Sequence, residues 1–97
     1  MTVRAVLDGV VLAEAEEVVG LEGNAYFPPS AVRWDHLTEN SATSSCPWKG
    51  EANYFDAAVG DRKYESVGWT YHTPSRAAAN IADHVAFWGN VKIENGD

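Results

Sequence analysis

Frequent turn signals cut this chain into short segments, and they constrain its fold more than any other feature of the sequence. Asp8-Gly9, Gly23-Asn24, Gly60-Asp61 and Gly89-Asn90 each place glycine beside a small polar residue. Tight turns favour such pairs because glycine accepts positive φ. The segments between them are rich in valine and aromatic residues, as strands are. Turns this tight favour antiparallel pairing, because parallel strands need long crossovers.

We therefore predict a mainly β (α+β) fold of about seven short antiparallel strands with one short helix. The β-prone segments are Val3–Leu7, Val10–Glu14, Val18–Glu22, Tyr26–Phe27, Glu51–Val59, Arg62–Thr73, Val85–Trp88 and Val91–Ile93. The alanine-rich stretch 75–82 predicts the helix, with Ser75 as its N-cap. The small polar run Thr38–Ser45 predicts a loop. The 97 residues fit a single domain, 1–97.

Composition narrows the range of partners and compartments. The formal net charge is −7, which argues against nucleic acid and against an anionic membrane surface, since both need a basic face. The single cysteine allows no internal disulfide, and the sequence shows no paired metal-ligand spacing, so we expect no metal and no cofactor. Without a visible leader or long apolar run, the expected location is cytoplasmic.

Several ordered motifs carry a resemblance to a known family. They are Tyr26-Phe27-Pro28, Cys46-Pro47-x-Lys49-Gly50, Trp69-x-Tyr71 and Val85-Ala86-Phe87-Trp88. In this pattern the chain resembles, over nearly its whole length, the small bacterial and fungal proteins of the domain of unknown function 427 family, which also carries a nucleotidyltransferase label. The resemblance implies a compact β-tent, similar to the Mss4-like and cereblon ligand-binding domains. Trp88 stands where the family usually has tyrosine.

Lys49 and the aromatic residues are the candidates for ligand binding. Lys49 could present a point charge to a carboxylate or phosphate, or it could pair with Glu51 or Asp56 as a structural residue. Alternation places Trp69 and Tyr71 on one strand face, where they could wall a pocket and attract a cation, or simply pack the core.

The other predicted ligand contacts are Tyr54, as a second polar anchor beside Lys49, and Tyr26. The β-tent that the resemblance implies is known for aromatic ligand cages, which supports this hypothesis by analogy.

Catalytic candidates are fewer. Lys49 could lower the pKa of the Cys46 thiol and make it reactive, although a lone cysteine is more often a small half-buried apolar residue. His72 is the best acid–base candidate because imidazole titrates near neutral pH, although a lone histidine is more often a satisfied polar residue. Nucleotidyl transfer normally uses clustered carboxylates with Mg²⁺, and the sequence contains no Asp-x-Asp pair.

These observations favour a small-molecule-binding module with an aromatic-lined pocket. The alternatives are a small enzyme, by nucleotidyl transfer or by thiol chemistry at Cys46, and a protein-interaction module. Pairing of an exposed edge strand with a second copy would give a homodimer, and the sequence leaves this option open.

Overall fold

The computed structural model describes residues 2–96, and in this range nine strands form three antiparallel sheets. One sheet has the order β2-β1-β9 and is built from β1 (Thr2–Leu7), β2 (Val10–Ala15) and β9 (Lys92–Gly96). A hairpin consists of β3 (Val19–Leu21) and β4 (Asn24–Tyr26). The largest sheet has the order β5-β6-β7-β8 and is built from β5 (Leu37–Cys46), β6 (Gly50–Val59), β7 (Arg62–Thr70) and β8 (Val85–Phe87). The prediction of a mainly β, antiparallel fold is confirmed.

The predicted loop at Thr38–Ser45 was wrong, because these residues form most of β5. They pair with β6 as a long hairpin, with an irregularity between Glu39 and Thr43 where the register shifts. Most of the β5 side chains are exposed. Their small polar character therefore reports an edge strand in contact with solvent rather than an irregular backbone.

The predicted helix at 75–82 is a 3-10 segment, Arg76–Ile81, interrupted by non-helical backbone at Ala78. Ser75 does not cap it with its side chain, so that prediction was also wrong. Shorter 3-10 turns lie at Pro29–Ala31 and Trp34–His36. No helix within residues 2–96 combines the length and apolar character that crossing a bilayer requires.

The turn predictions hold with one shift. Asp8 and Gly9 have positive φ between β1 and β2, as predicted. The turn between β3 and β4 lies at Glu22 (φ 54) and Gly23 (φ 82), one residue before the predicted Gly23-Asn24. Two central residues with positive φ are typical of the type I′ turn, whose twist matches a hairpin. This shift places a glutamate at the tip of the hairpin.

The two faces of the largest sheet are covered by different elements. One face packs against the β2-β1-β9 sheet and holds an apolar cluster that includes Leu7, Leu12, Phe27, Phe55 and Phe87. The other face is covered by the β3–β4 hairpin and the 3-10 segment, and it holds the cluster Tyr26, Ala52, Trp69, Tyr71, Ala78, Ile81 and Ala86. The side chains of β6 divide between the two faces, since Phe55 and Ala57 join the first cluster and Ala52 joins the second.

Candidate functional site

The Cys46-Pro47-Trp48-Lys49-Gly50 motif forms the turn between β5 and β6, where Cys46 pairs with Gly50. Gly50 has a φ of +118°, which side chains rarely allow. The Ser75 backbone N–H donates to the Lys49 carbonyl at 2.8 Å, and the Ser75 hydroxyl donates to the Trp48 carbonyl. The serine that the sequence suggested as a helix cap therefore fixes this turn, and the turn directs Lys49 onto the second face of the sheet.

Lys49 is one of the few buried charged residues, with 6% of its surface exposed. Its ammonium donates to Oε1 of Glu22, at the tip of the β3–β4 hairpin. The indole N–H of Trp48 donates to the other carboxylate oxygen, Oε2, at 3.2 Å. The partner of Lys49 is therefore Glu22, and neither of the expected candidates, Glu51 and Asp56. Asp56 instead accepts hydrogen bonds from Asn40 and from the backbone of Ser66.

The charges of this pair are mutually stabilised. Burial of the Lys49 ammonium lowers its pKa, but the hydrogen bond to Glu22 and the nearby Tyr26 and Tyr71 outweigh that effect, so the pKa of Lys49 is raised. Hydrogen bonds from Lys49 and then from Trp48 lower the pKa of the Glu22 carboxyl below its ordinary 4.5. Near neutral pH this site therefore holds a buried cation beside a half-exposed anion.

Two aromatic rings lie close to the Lys49 ammonium. Lys49 Nζ lies 5.3 Å from the centre of the Tyr71 ring and 5.7 Å from that of Trp48, within the range of cation–π attraction. Burial raises the pKa of the Tyr71 hydroxyl, and the Lys49 ammonium partly opposes this shift. Cys46 is half-buried against the same cluster. The structure therefore places the Tyr71 ring at the Lys49 ammonium and packs Cys46 against the cluster that contains Tyr71.

A row of rings continues from this point across the sheet. Tyr26 and Trp69 meet edge to face with ring centres 6.3 Å apart, and the Trp69 indole donates to the Tyr26 hydroxyl at 3.2 Å. The ring centre of Trp88 lies 5.3 Å from that of Trp69 and 6.4 Å from that of Tyr54, and 53% of the Trp88 surface is exposed. We call the whole set the aromatic–lysine face, and it consists of Glu22, Tyr26, Trp48, Lys49, Tyr54, Trp69, Tyr71 and Trp88.

The prediction of an aromatic-lined pocket was wrong: the rings form a packed cluster and not the walls of a cavity. No pocket is formed by the described residues, because the rings contact one another and are open to solvent at Trp88 and Trp48. Trp69 and Tyr71 do share a face, as the alternation of the strand predicted, and both are buried.

His72 belongs to a different cluster. Its Nδ1 lies 2.7 Å from a carboxylate oxygen of Asp83, and its Nε2 lies 3.0 Å from one of Glu39. These hydrogen bonds, the one with Asp83 first, raise the pKa of His72 above its ordinary 6.5. β7 ends at Thr70, so His72 lies beyond the strand in which it was predicted. It bonds to surface carboxylates and is not among the residues packed in the aromatic–lysine face.

Sequence reasoning missed three members of the aromatic–lysine face. Trp48 had a partial signal, since it is adjacent to Lys49 in the sequence, but adjacency does not fix the side to which its indole points. Trp88 was recognised as a large ring but not as part of the site. Glu22 gave no signal, because it is 27 positions from Lys49 and its role depends on how the β3–β4 hairpin docks.

Within residues 2–96, no three His, Cys, Asp or Glu side chains are grouped closely enough to hold a metal ion.

Comparisons with known proteins identify the family of this chain. No curated protein matches the chain. A family model described as "Domain of unknown function (DUF427)" matches residues 1–96, which is nearly the whole sequence. The motifs that suggested this family build the turn, the ring row and β8 of the structure. The chain therefore belongs to the DUF427 family.

Proposed function

We propose that this protein is a small-molecule-binding module and that its ligand sits on the aromatic–lysine face. The observation that supports this proposal most strongly is the burial of Lys49 among rings, with a half-exposed residue from a neighbouring hairpin as its partner. Lysine is among the residues least often buried, because removing its charge from water is costly. A methionine or leucine would fill the same space with less desolvation, so packing alone does not explain a lysine here.

Two exposed tryptophans support the same location. Trp48 is 39% exposed and Trp88 is 53% exposed, and each contacts a buried member of the aromatic–lysine face. Large exposed rings beside convergent polar groups are typical of binding surfaces. Here the polar groups that converge are the Lys49 ammonium and the Trp48 indole N–H, which both bind Glu22. The Tyr54 hydroxyl lies 2.8 Å from the Ser44 hydroxyl, and the Tyr54 ring packs against the same cluster.

Thermal unfolding in the presence of small probes tests this proposal. The probes are benzoate, phenyl phosphate, benzyltrimethylammonium and ATP with Mg²⁺. A probe at about 100 times its Kd adds ~2.7 kcal/mol, and each kcal/mol raises the Tm of a domain this small by roughly 4–8 °C. We expect at least one of the aromatic probes to raise the Tm of the wild type.

Two tryptophan variants locate the binding. Trp88→Ala removes an exposed ring from the aromatic–lysine face and should reduce the shift. Trp34→Ala removes another exposed ring, one that packs against Phe55 of the apolar cluster, and should leave the shift unchanged. A flat response to every probe, or equal shifts in both variants, would refute the proposal. A response to ATP with Mg²⁺ alone would favour the nucleotidyltransferase alternative.

A further inference from the structure

We propose that the ligand of the aromatic–lysine face carries a carboxylate or phosphate group, and that Glu22 occupies the place of this group as an internal competitor. The inference rests on the proposed function and names the ligand class for the same site. In ligand-free protein the Glu22 carboxylate fills the anion position. A ligand would enter by displacing it.

The arrangement of donors carries the inference. Lys49 and Trp48 are adjacent in one turn, and they bind the two oxygens of a single carboxylate separately, Lys49 at Oε1 and Trp48 at Oε2. Two donors directed at both oxygens of an acid form a receptor for an oxyanion, whichever chain supplies it. Ser75 donates to the backbone carbonyls of both residues, so the fold holds the backbone that carries the two donors before an anion binds.

Glu22 is well placed to leave the receptor. Its side chain is 47% exposed, whereas that of Lys49 is 8% exposed, so a displaced Glu22 would enter water rather than a buried space. It also lies at the tip of a short hairpin with a φ of 54°. A non-glycine residue adopts this region at a cost, and Asn, Asp or Gly is preferred at this position of the turn. The turn therefore gives no conformational reason for a glutamate, and its carboxylate is the property that the site uses.

The same geometry argues against a cationic ligand at this end of the face. The Lys49 ammonium already lies over the Tyr71 ring and beside Trp48, so the chain fills its own cation–π position. A second cation there would meet like-charge repulsion. The net charge of −7 acts against any anion at long range, so the affinity must come from the local donors.

Neutralising Glu22 is the direct test. In Glu22→Asn, asparagine suits the turn and removes the competing charge. If Glu22 holds the receptor about nine-tenths of the time, freeing it should tighten anion binding roughly tenfold. Glu94→Gln removes the same unit charge from β9 in the other sheet and serves as the control. Glu22→Gln, which keeps the side-chain length, is the second variant in case the first does not fold.

The readout is the indole N–H resonance of Trp48, assigned with Trp48→Phe and titrated with matched probes. Benzoate and phenyl phosphate are the anions, benzamide is the neutral analogue, and benzyltrimethylammonium is the cation. We expect both anions, or one of them, to bind Glu22→Asn roughly tenfold more tightly than wild type or Glu94→Gln. Lys49→Met should abolish anion binding. The tighter of the two anions identifies the group as a carboxylate or a phosphate.

The other outcomes separate this inference from the proposed function. Suppose that benzamide or benzyltrimethylammonium binds wild type and Glu22→Asn equally well, and that Glu22→Asn binds the anions no more tightly than wild type does. This result would overturn the anion inference, but the proposal that the aromatic–lysine face binds a small molecule would stand. Equal anion affinity in Glu22→Asn and Glu94→Gln would overturn the role of Glu22. If no probe binds any of the folded proteins, both proposals fall.

Discussion

The two faces of the β5-β6-β7-β8 sheet are packed with different kinds of side chain. The face toward the β2-β1-β9 sheet is packed with aliphatic and phenylalanine side chains. The opposite face combines tyrosine, tryptophan and cysteine, and a buried lysine lies against it. Apolar burial is non-directional and stabilises the fold, whereas buried polar groups need specific partners and are costly when they lose them. The comparison indicates that one face is held by apolar burial and that the other also depends on specific polar partners, and our proposed binding site lies on this second face.

The largest effect should come from the apolar face. Phe27 is fully buried, packs against Phe87 at 5.9 Å between ring centres, and exchanges two backbone hydrogen bonds with Val85. Phe27→Ala should lower the free energy of unfolding by ~3–5 kcal/mol, through lost burial and the cavity left behind. Urea denaturation measures this change.

Trp88→Ala is the matched variant on the aromatic–lysine face. Because Trp88 is half-exposed, losing its ring contacts should cost only ~1 kcal/mol. Equal losses in the two variants would remove the contrast between the faces.

A middle-sized effect should come from the hydroxyl of Tyr26. Tyr26 is fully buried, and its hydroxyl accepts the indole N–H of Trp69 at 3.2 Å. Tyr26→Phe keeps the ring and leaves that buried donor without a partner, which should cost ~1–2 kcal/mol in urea denaturation. The hydroxyl of Tyr54 is exposed, so Tyr54→Phe should be nearly neutral. If Tyr26→Phe leaves the free energy of unfolding unchanged, the hydrogen bond between Tyr26 and Trp69 does not stabilise the packing of this face.

The smallest effect concerns pH and lies outside both faces. The pKa of His72 is raised above 6.5 by Asp83 and then Glu39. A raised folded-state pKa means that protonation stabilises the fold, so the contribution is fully present below about pH 6.5 and is lost as the pH rises through the raised value. The side chain is 44% exposed, so solvent screening keeps the effect small. Stability that rises over this range in the wild type relative to His72→Asn would contradict this sign.

Asp56 acts with the opposite sign at acid pH. The backbone N–H of Ser66, and then Asn40, lower the pKa of Asp56 below its ordinary 3.8. Its contribution is therefore present above about pH 3.8 and is lost as the pH falls through the lowered value. We expect the free energy of unfolding of the wild type to fall at acid pH for this reason, and that of Asp56→Asn to lack this part of the fall. Urea denaturation of both proteins across the pH range measures the difference.

The fold could be predicted where the sequence contains turn-forming residues or a clear strand alternation. Asp8-Gly9 and Gly60-Asp61 marked real turns, and strand alternation correctly placed Trp69 and Tyr71 on one face. The chain was misread at Thr38–Ser45, because polarity there reflects solvent exposure at an edge, and pairing with β6 fixes the backbone regardless. The 3-10 segment was predicted to be a helix because its residues have high helix propensity. Helix propensity does not include tertiary packing, which buries Ala78 and Ile81 in this segment.

Only those parts of the candidate site that lie within one short segment of the sequence could be predicted. Lys49, Trp69 and Tyr71 were identified from a motif and from strand alternation, and the structure places them together with Tyr26, Tyr54 and Cys46. Glu22 could not be found, because the partner of Lys49 is set by the docking of a separate hairpin. Local patterns thus identify which side chains share a face, but not which distant charge completes it.

The most direct measurement is the free energy of unfolding of Lys49→Met, by urea denaturation beside the wild type. If Lys49 serves binding rather than the fold, methionine should fill its space and leave Glu22 in water, with stability within about 1 kcal/mol of the wild type or higher. Lys63→Met, at a lysine that is 69% exposed, controls for the loss of a positive charge. A loss of about 3 kcal/mol or more in Lys49→Met alone would show that the buried pair is structural, and would contradict the account.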